Sequence, residues 1–112
     1  MTVAHRAIAT GHLLELAGAL DLDTVDGVRA AIARTDLGPG RQLVVDLAGV
    51  TFCDSSGLTA LVAARNRAVA AEAGIALVAV PEDVARTLHL VGLDQVFPTH
   101  PTVDAAEAAF RP

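Results

Sequence analysis

The sequence predicts an α/β domain: a mixed sheet of about five strands, opened by an N-terminal hairpin and continued by parallel βαβ units, with about four helices mainly on one face. Three observations predict it. The runs LVVDL at 43–47 and IALVAV at 75–80 are nearly continuous apolar stretches, as in strands buried on both faces of a sheet. Between and after them lie segments whose apolar residues recur at helical spacing. Residues 12–20 instead alternate with a period of two, which marks a half-buried strand.

Taken in order, Thr2 to Ala9 is the first strand candidate, punctuated by Gly11. His12 to Leu20 is the second, and the two pair as a hairpin. Val25, Val28 and Ile32 are spaced i, i+3, i+7, giving a first helix from about Asp23 to Arg34 with an aspartate near its N-cap. Gly38-Pro39-Gly40 ends the connection to the central strand, about Gln42 to Leu47. A turn through Gly49 and Thr51 leads to Phe52, whose apolar side chain is expected to be buried. The second helix follows, with a stripe of Leu58, Leu61, Val62, Val69 and Ala73, and with Gly74 as its C-terminal glycine. Strand, helix and strand to Val80 within about forty residues form a right-handed crossover with parallel strands. Pro81, Glu82 and Asp83 open a third helix, striped by Val84, Leu88 and Val91 and stopped by Gly92. Gln95 to Phe97 is the expected last strand. A final helix from about Thr102 to Phe110 is capped by Thr102 or Asp104 and carries Val103, Ala106 and Phe110.

Composition removes several classes of function. At 112 residues the chain is expected to be one domain, 1–112, able to bury roughly two-thirds of its unfolded surface. Charges interrupt every apolar run before the roughly 18 residues a membrane helix needs. The segment MTVAHRAIATGH has no apolar core of a signal peptide, so a cytoplasmic protein is expected. The net charge of −5 disfavours nucleic acid and anionic membranes and favours a basic partner surface. All eight basic residues are arginine, which leaves no lysine for a phosphate-binding loop or a Schiff base. Cys53 is alone, so neither an internal disulfide nor a thiolate cluster forms; a small buried hydrophobe is its simplest role. His5, His12, His89 and His100 show no metal-ligand spacing, and no metal site is expected.

The chemistry concentrates at Asp54-Ser55-Ser56-Gly57, a polar turn between the central strand and the second helix. From the turn alone, a serine hydroxyl there is most simply a helix cap, worth about 1 kcal/mol. The same place also suits an anion, because backbone N–H groups are unpaired at a helix start. Asp21 and Asp23 read as capping residues too, and Asp46 as a support of the turn or a solvated acid. An esterase reading of Ser56 meets no Gly-x-Ser-x-Gly elbow and no motif that places a histidine and an acid beside it.

The segment VVDLAGVTFCDSSGLTALVAARNRA, with GALDLDT at 18–24 and the run from Arg86 to Phe97, resembles the STAS domain (sulfate transporter and anti-sigma factor antagonist). The likeness is nearest to the family's free-standing anti-sigma-factor antagonists and covers nearly the whole chain. It implies the same fold. It also implies that Ser56, the second serine of the turn, is the phosphorylation site, leaving Ser55 as the cap. Asp21, Asp23, Asp54, Ser55, Ser56, Gly57 and Leu58 would meet the partner, with Gly57 letting a kinase loop approach the serine backbone. The implied partners are an anti-sigma factor that is a GHKL-type serine kinase and a phosphoserine phosphatase; ATP belongs to the kinase, and the domain itself has no catalytic residue and no cofactor. The resemblance leaves open a STAS subunit of a lipid-transporter ATPase or a scaffold of a stress-sensing assembly. A small serine hydrolase is the rival from another class.

Overall fold

The computed structural model describes residues 1–112. Its strands are β1 (Thr2–Ile8), β2 (Gly11–Leu20), β3 (Gln42–Cys53), β4 (Gly74–Val78) and β5 (Thr99–His100); its helices are α1 (Val25–Arg34), α2 (Ser55–Ala70), α3 (Glu82–Leu90) and α4 (Val103–Ala109). The sheet order is β1-β2-β3-β4-β5, antiparallel at the hairpin and parallel thereafter. When each strand lies beside its predecessor and every crossover has the same hand, the crossover helices fall on one face. Accordingly α1, α2 and α3 cover a core of Leu14, Leu16, Leu43, Val45, Leu47 and Leu77, together with Val28, Ile32, Leu61 and Leu88. Only α4 lies on the other face, where Ala106 meets Leu13, Val44, Ala76 and Val78. No helix is long and apolar enough to cross a membrane.

Five boundaries differ from the expectation, among them the end of β4, which stops at Val78 rather than Val80 because Ala79 turns to φ 52. β3 runs on to Cys53 and overhangs β4, whose last partner is Asp46, so the second half of β3 pairs with β2 alone. Two register shifts in that half re-aim its side chains, and Phe52 is 53% exposed rather than buried. The last strand is Thr99–His100; Leu93–Gln95 is a 3₁₀ turn entered through Gly92 at φ 79, and Phe97 is a buried core residue. Gly74 starts β4, and the left-handed residue after α2 is Glu72 at φ 58. Val91 closes α3 as its C-cap and is 56% exposed instead of extending the buried stripe.

The second helix is the element that positions the serine turn, and the sequence holds it by two devices. Asp54, not Ser55, is the N-cap: its Oδ1 accepts the Gly57 N–H at 3.0 Å. The buried stripe is Gly57, Ala60, Leu61, Ala64 and Ala68, which shares only Leu61 with the larger apolar residues expected to face inward. Small side chains let the helix lie close to the sheet. The closest approach is at Gly57, where a Cβ would stand 2.6 Å from the Leu20 carbonyl oxygen and 2.8 Å from Cys53 Sγ.

In an exposed helix, glycine to alanine would stabilise by about 0.5–1 kcal/mol. Here Gly57→Ala should instead destabilise by about 1–3 kcal/mol, because backbone must move to admit the methyl group; a denaturant titration showing a gain would refute the packing role. Asp54→Ala should cost about 1 kcal/mol, and Asp54→Asn or Asp54→Ser should recover most of it, as read from thermal midpoints.

Candidate functional site

Three segments meet at the carboxyl ends of β2 and β3. Leu20 pairs with Cys53 across the two strands, and its carbonyl accepts the Asp54 N–H at 3.2 Å. The chain then turns from β2 into α1 through Asp21, whose Oδ1 accepts the Asp23 N–H at 3.0 Å and whose own N–H donates to Thr24 Oγ1. Thr24 donates in turn to the Ala19 carbonyl at 2.8 Å, which ties the turn to the strand it leaves. Thr24 occupies the N-cap position of α1, so Asp21 and Asp23 shape the preceding turn rather than capping the helix directly. Since Leu20 also touches Gly57, the acidic turn and the start of α2 are packed as one unit.

Ser55 and Ser56 are the first two residues of α2. Ser55 is exposed and its carbonyl accepts from Thr59 Oγ1 at 2.9 Å. Ser56 is partly buried, and its hydroxyl has no hydrogen-bond partner within the chain, unlike the capping carboxylate of Asp54. The N–H groups of Ser55 and Ser56 also lack acceptors, since the first bonds of the helix begin at Gly57 and Leu58. An oxyanion carried on Ser56 would therefore find free donors, with the negative Asp54 beside them. Gly57 is buried, so the surface contact expected of it gives way to a packing role.

Exposed apolar side chains lie on the segments that meet here. Leu22, in the β2–α1 turn, is 72% exposed, and Phe52 lies one residue before Cys53. On the other side, Ser55, Leu58 and Thr59 share a shallow groove of about 360 Å³ with Val62, Val91 and Leu93. By type Phe52 and Val91 read as core residues and Leu22 is not singled out; apolar residues flanking the turn on strand and helix ends were the signal available. Cys53 is half-buried, and desolvation, then the Asp54 charge, pushes its thiol up to about 11. It stays protonated and unreactive near neutral pH. No histidine hydrogen-bonds to Ser56: His5 Nε2 meets His12 Nδ1 at 2.9 Å, His89 Nδ1 meets Asp94 Oδ2 at 2.7 Å, and His100 lies on β5.

Known proteins share both the sequence pattern and the fold. Residues 4–106 match the STAS domain family. The anti-sigma-F factor antagonist RsfB of Mycobacterium tuberculosis is 32% identical over 112 residues, covering 99% of this chain and 88% of the relative. A solved anti-sigma factor antagonist of Mycobacterium paratuberculosis is 30% identical over 99% of this chain and 94% of its own, with a TM-score of 0.80. The Bacillus cell fate determinant SpoIIAA, solved in its phosphorylated form, shares the fold at a TM-score of 0.73 and 16% identity, covering 97% and 100% of the two chains. With the serine turn held between a strand end and a helix start as described, the chain belongs to the STAS domain family, in the branch of the anti-sigma-factor antagonists.

Proposed function

We propose that this protein is a phosphorylation-switched binding protein of the cytoplasm. With Ser56 unmodified it holds an anti-sigma factor and so frees a sigma factor. The anti-sigma factor is a GHKL-type serine kinase; its ATP supplies a phosphate to Ser56 and the complex weakens. A phosphoserine phosphatase resets the protein, which is substrate in both steps and needs no cofactor of its own.

The observation that carries this reading is the Ser56 hydroxyl, unpaired in the chain and seated at the start of α2, with exposed Leu22 and Phe52 on the segments that lead into α1 and α2. Exposed Leu22 and Phe52 and the groove along Leu58 offer a dry contact, while Asp21, Asp23 and Asp54 give its rim a negative charge suited to a basic partner. A phosphate adds about −1.5 to −2 charges at pH 7. Those charges would have to lose water in a contact shaped for a neutral hydroxyl, next to carboxylates of the same sign. A coupling of about 3 kcal/mol changes affinity more than a hundredfold, and no backbone movement is needed.

Incubation with the captured kinase and ATP should add one phosphate, at Ser56; mapping it to Ser55, Thr51 or Thr59 would refute the assignment. Ser56→Ala should keep thermal stability within about 0.5 kcal/mol, since the hydroxyl bonds nothing, and should keep partner affinity while losing its sensitivity to ATP. Ser56→Asp should fold and bind more weakly, with a smaller effect than phosphate. If phosphorylated wild type binds as tightly as unmodified protein, the switch is wrong.

Leu22→Ser and Phe52→Ser test the contact surface independently of the phosphate. Each should weaken anti-sigma factor binding about tenfold or more by calorimetry, the loss expected for a buried apolar anchor, with little change in thermal midpoint because both side chains are exposed in the free protein. Unchanged affinity in both variants would place the contact elsewhere.

A further inference from the structure

The far end of the sheet has an unfinished edge. β5 pairs with only Leu77 and Val78 of β4, through bonds from the Leu77 N–H to the Pro98 carbonyl at 2.9 Å and from the Ala79 N–H to the His100 carbonyl at 3.0 Å. Ile75 lies two residues before Leu77, so its N–H and C=O point to the same edge. Pro98 has no N–H to offer the Ile75 carbonyl, and no bond joins Ile75 to Val96, the position where a longer β5 would supply an acceptor. The ladder therefore stops halfway along β4, leaving one residue's donor and acceptor open.

A groove of about 390 Å³ marks the missing strand. Gly74, Ile75 and Ala76 line it along the edge, with Val69 and Arg65 of α2 on one side of the sheet and Phe110 and Arg111, just beyond α4, on the other. Arg65 makes no ion pair. Arg111 donates through Nη1 to the Ala108 and Phe110 carbonyls, which leaves the rest of its guanidinium available. No carboxylate lines the groove, although the chain as a whole carries a net charge of −5.

We propose that this groove takes up a short extended acidic segment of a partner protein, which adds to the edge of β4 in line with β5. Successive side chains of an added strand point to opposite faces. One acidic side chain would reach Arg65 on the α2 side, and the next Arg111 on the α4 side, while the backbone between them pairs with Ile75. Three residues of β4 span about 10 Å, so the register is short and binding is weak unless the partner holds a second contact. Nine helical steps of α2 lead from Ser56 to Arg65, about 14 Å along the axis, so a segment here leaves the serine turn uncovered.

The test uses the full chain, labelled with ¹⁵N, and a capped hexapeptide with a central pair of adjacent glutamates flanked by valines, so that the two carboxylates fall on opposite faces of the strand. Its controls are the lysine-for-glutamate peptide and a version N-methylated at every residue, which has no N–H to offer a strand ladder on either edge. The glutamate peptide should shift the amide resonance of Ile75 and its neighbours without moving those of Ser55 and Ser56, and the lysine peptide should shift neither. N-methylation should abolish the Ile75 shift, and the double variant Arg65→Glu, Arg111→Glu should weaken binding at least tenfold while keeping a dispersed spectrum. Shifts that survive N-methylation would mean charge attraction without strand addition and would overturn the proposal. So would shifts scattered away from β4, or none at millimolar peptide.

Discussion

The contact on which the arrangement depends is the one between Gly57 and the end of β2. Glycine lets the first turn of α2 rest against the Leu20 carbonyl, and that same carbonyl accepts the Asp54 N–H, so helix start and strand end share one backbone group. Everything near Ser56 follows from it. The acidic turn into α1 is held beside the serine because it continues from Leu20; Cys53 is half-buried because it is the strand residue under the helix; and the small stripe of Ala60, Ala64 and Ala68 continues the close approach down the sheet. A larger residue at 57 would tilt or lift the helix and disperse these groups together.

Much of this organisation was legible in the chain. The apolar runs at 43–47 and 75–80 announced parallel strands because a strand covered on both faces has no polar alternation to lose, although the second strand stops at Val78. The hairpin, the parallel βαβ units, a cap at Thr102 or Asp104, of which Thr102 takes the role, and the serine turn at the head of the second helix were likewise visible, since each rests on local chemistry or on short-range periodicity. What was not legible depends on partners distant in sequence. Phe52 reads as a core residue until the two bulges on β3 and the shortness of β4 are known, and neither leaves a mark on residue type. The face of α2 was misjudged for a related reason. Valine and leucine outrank alanine in hydropathy, but close helix-to-sheet packing selects for size, and the alanines went inside.

The ends of elements show the same limit at smaller scale. A serine beside an aspartate at a helix start offers two competent caps, and only backbone geometry decides that Asp54 takes the role while Ser56 is left unpaired. Freedom of that hydroxyl is what makes it available to chemistry. Likewise Glu72, not the nearby Gly74, adopts the left-handed conformation after α2, a choice that glycine's lower cost alone would not foretell.

The order of the strands in the sheet bears on how the chain comes together in time. Each strand lies beside the one made just before it, so every new strand finds its template already present as synthesis proceeds from the N-terminus. Pairings that never skip a strand also keep the closing loops short, which lowers their entropic cost and favours fast folding for a sheet protein. In chain order the contact between Gly57 and Leu20 comes third, after the hairpin and the first crossover. Ser56 is thus synthesised after the strands it rests beside, and the last strand in the chain is the short one that leaves β4 incompletely covered.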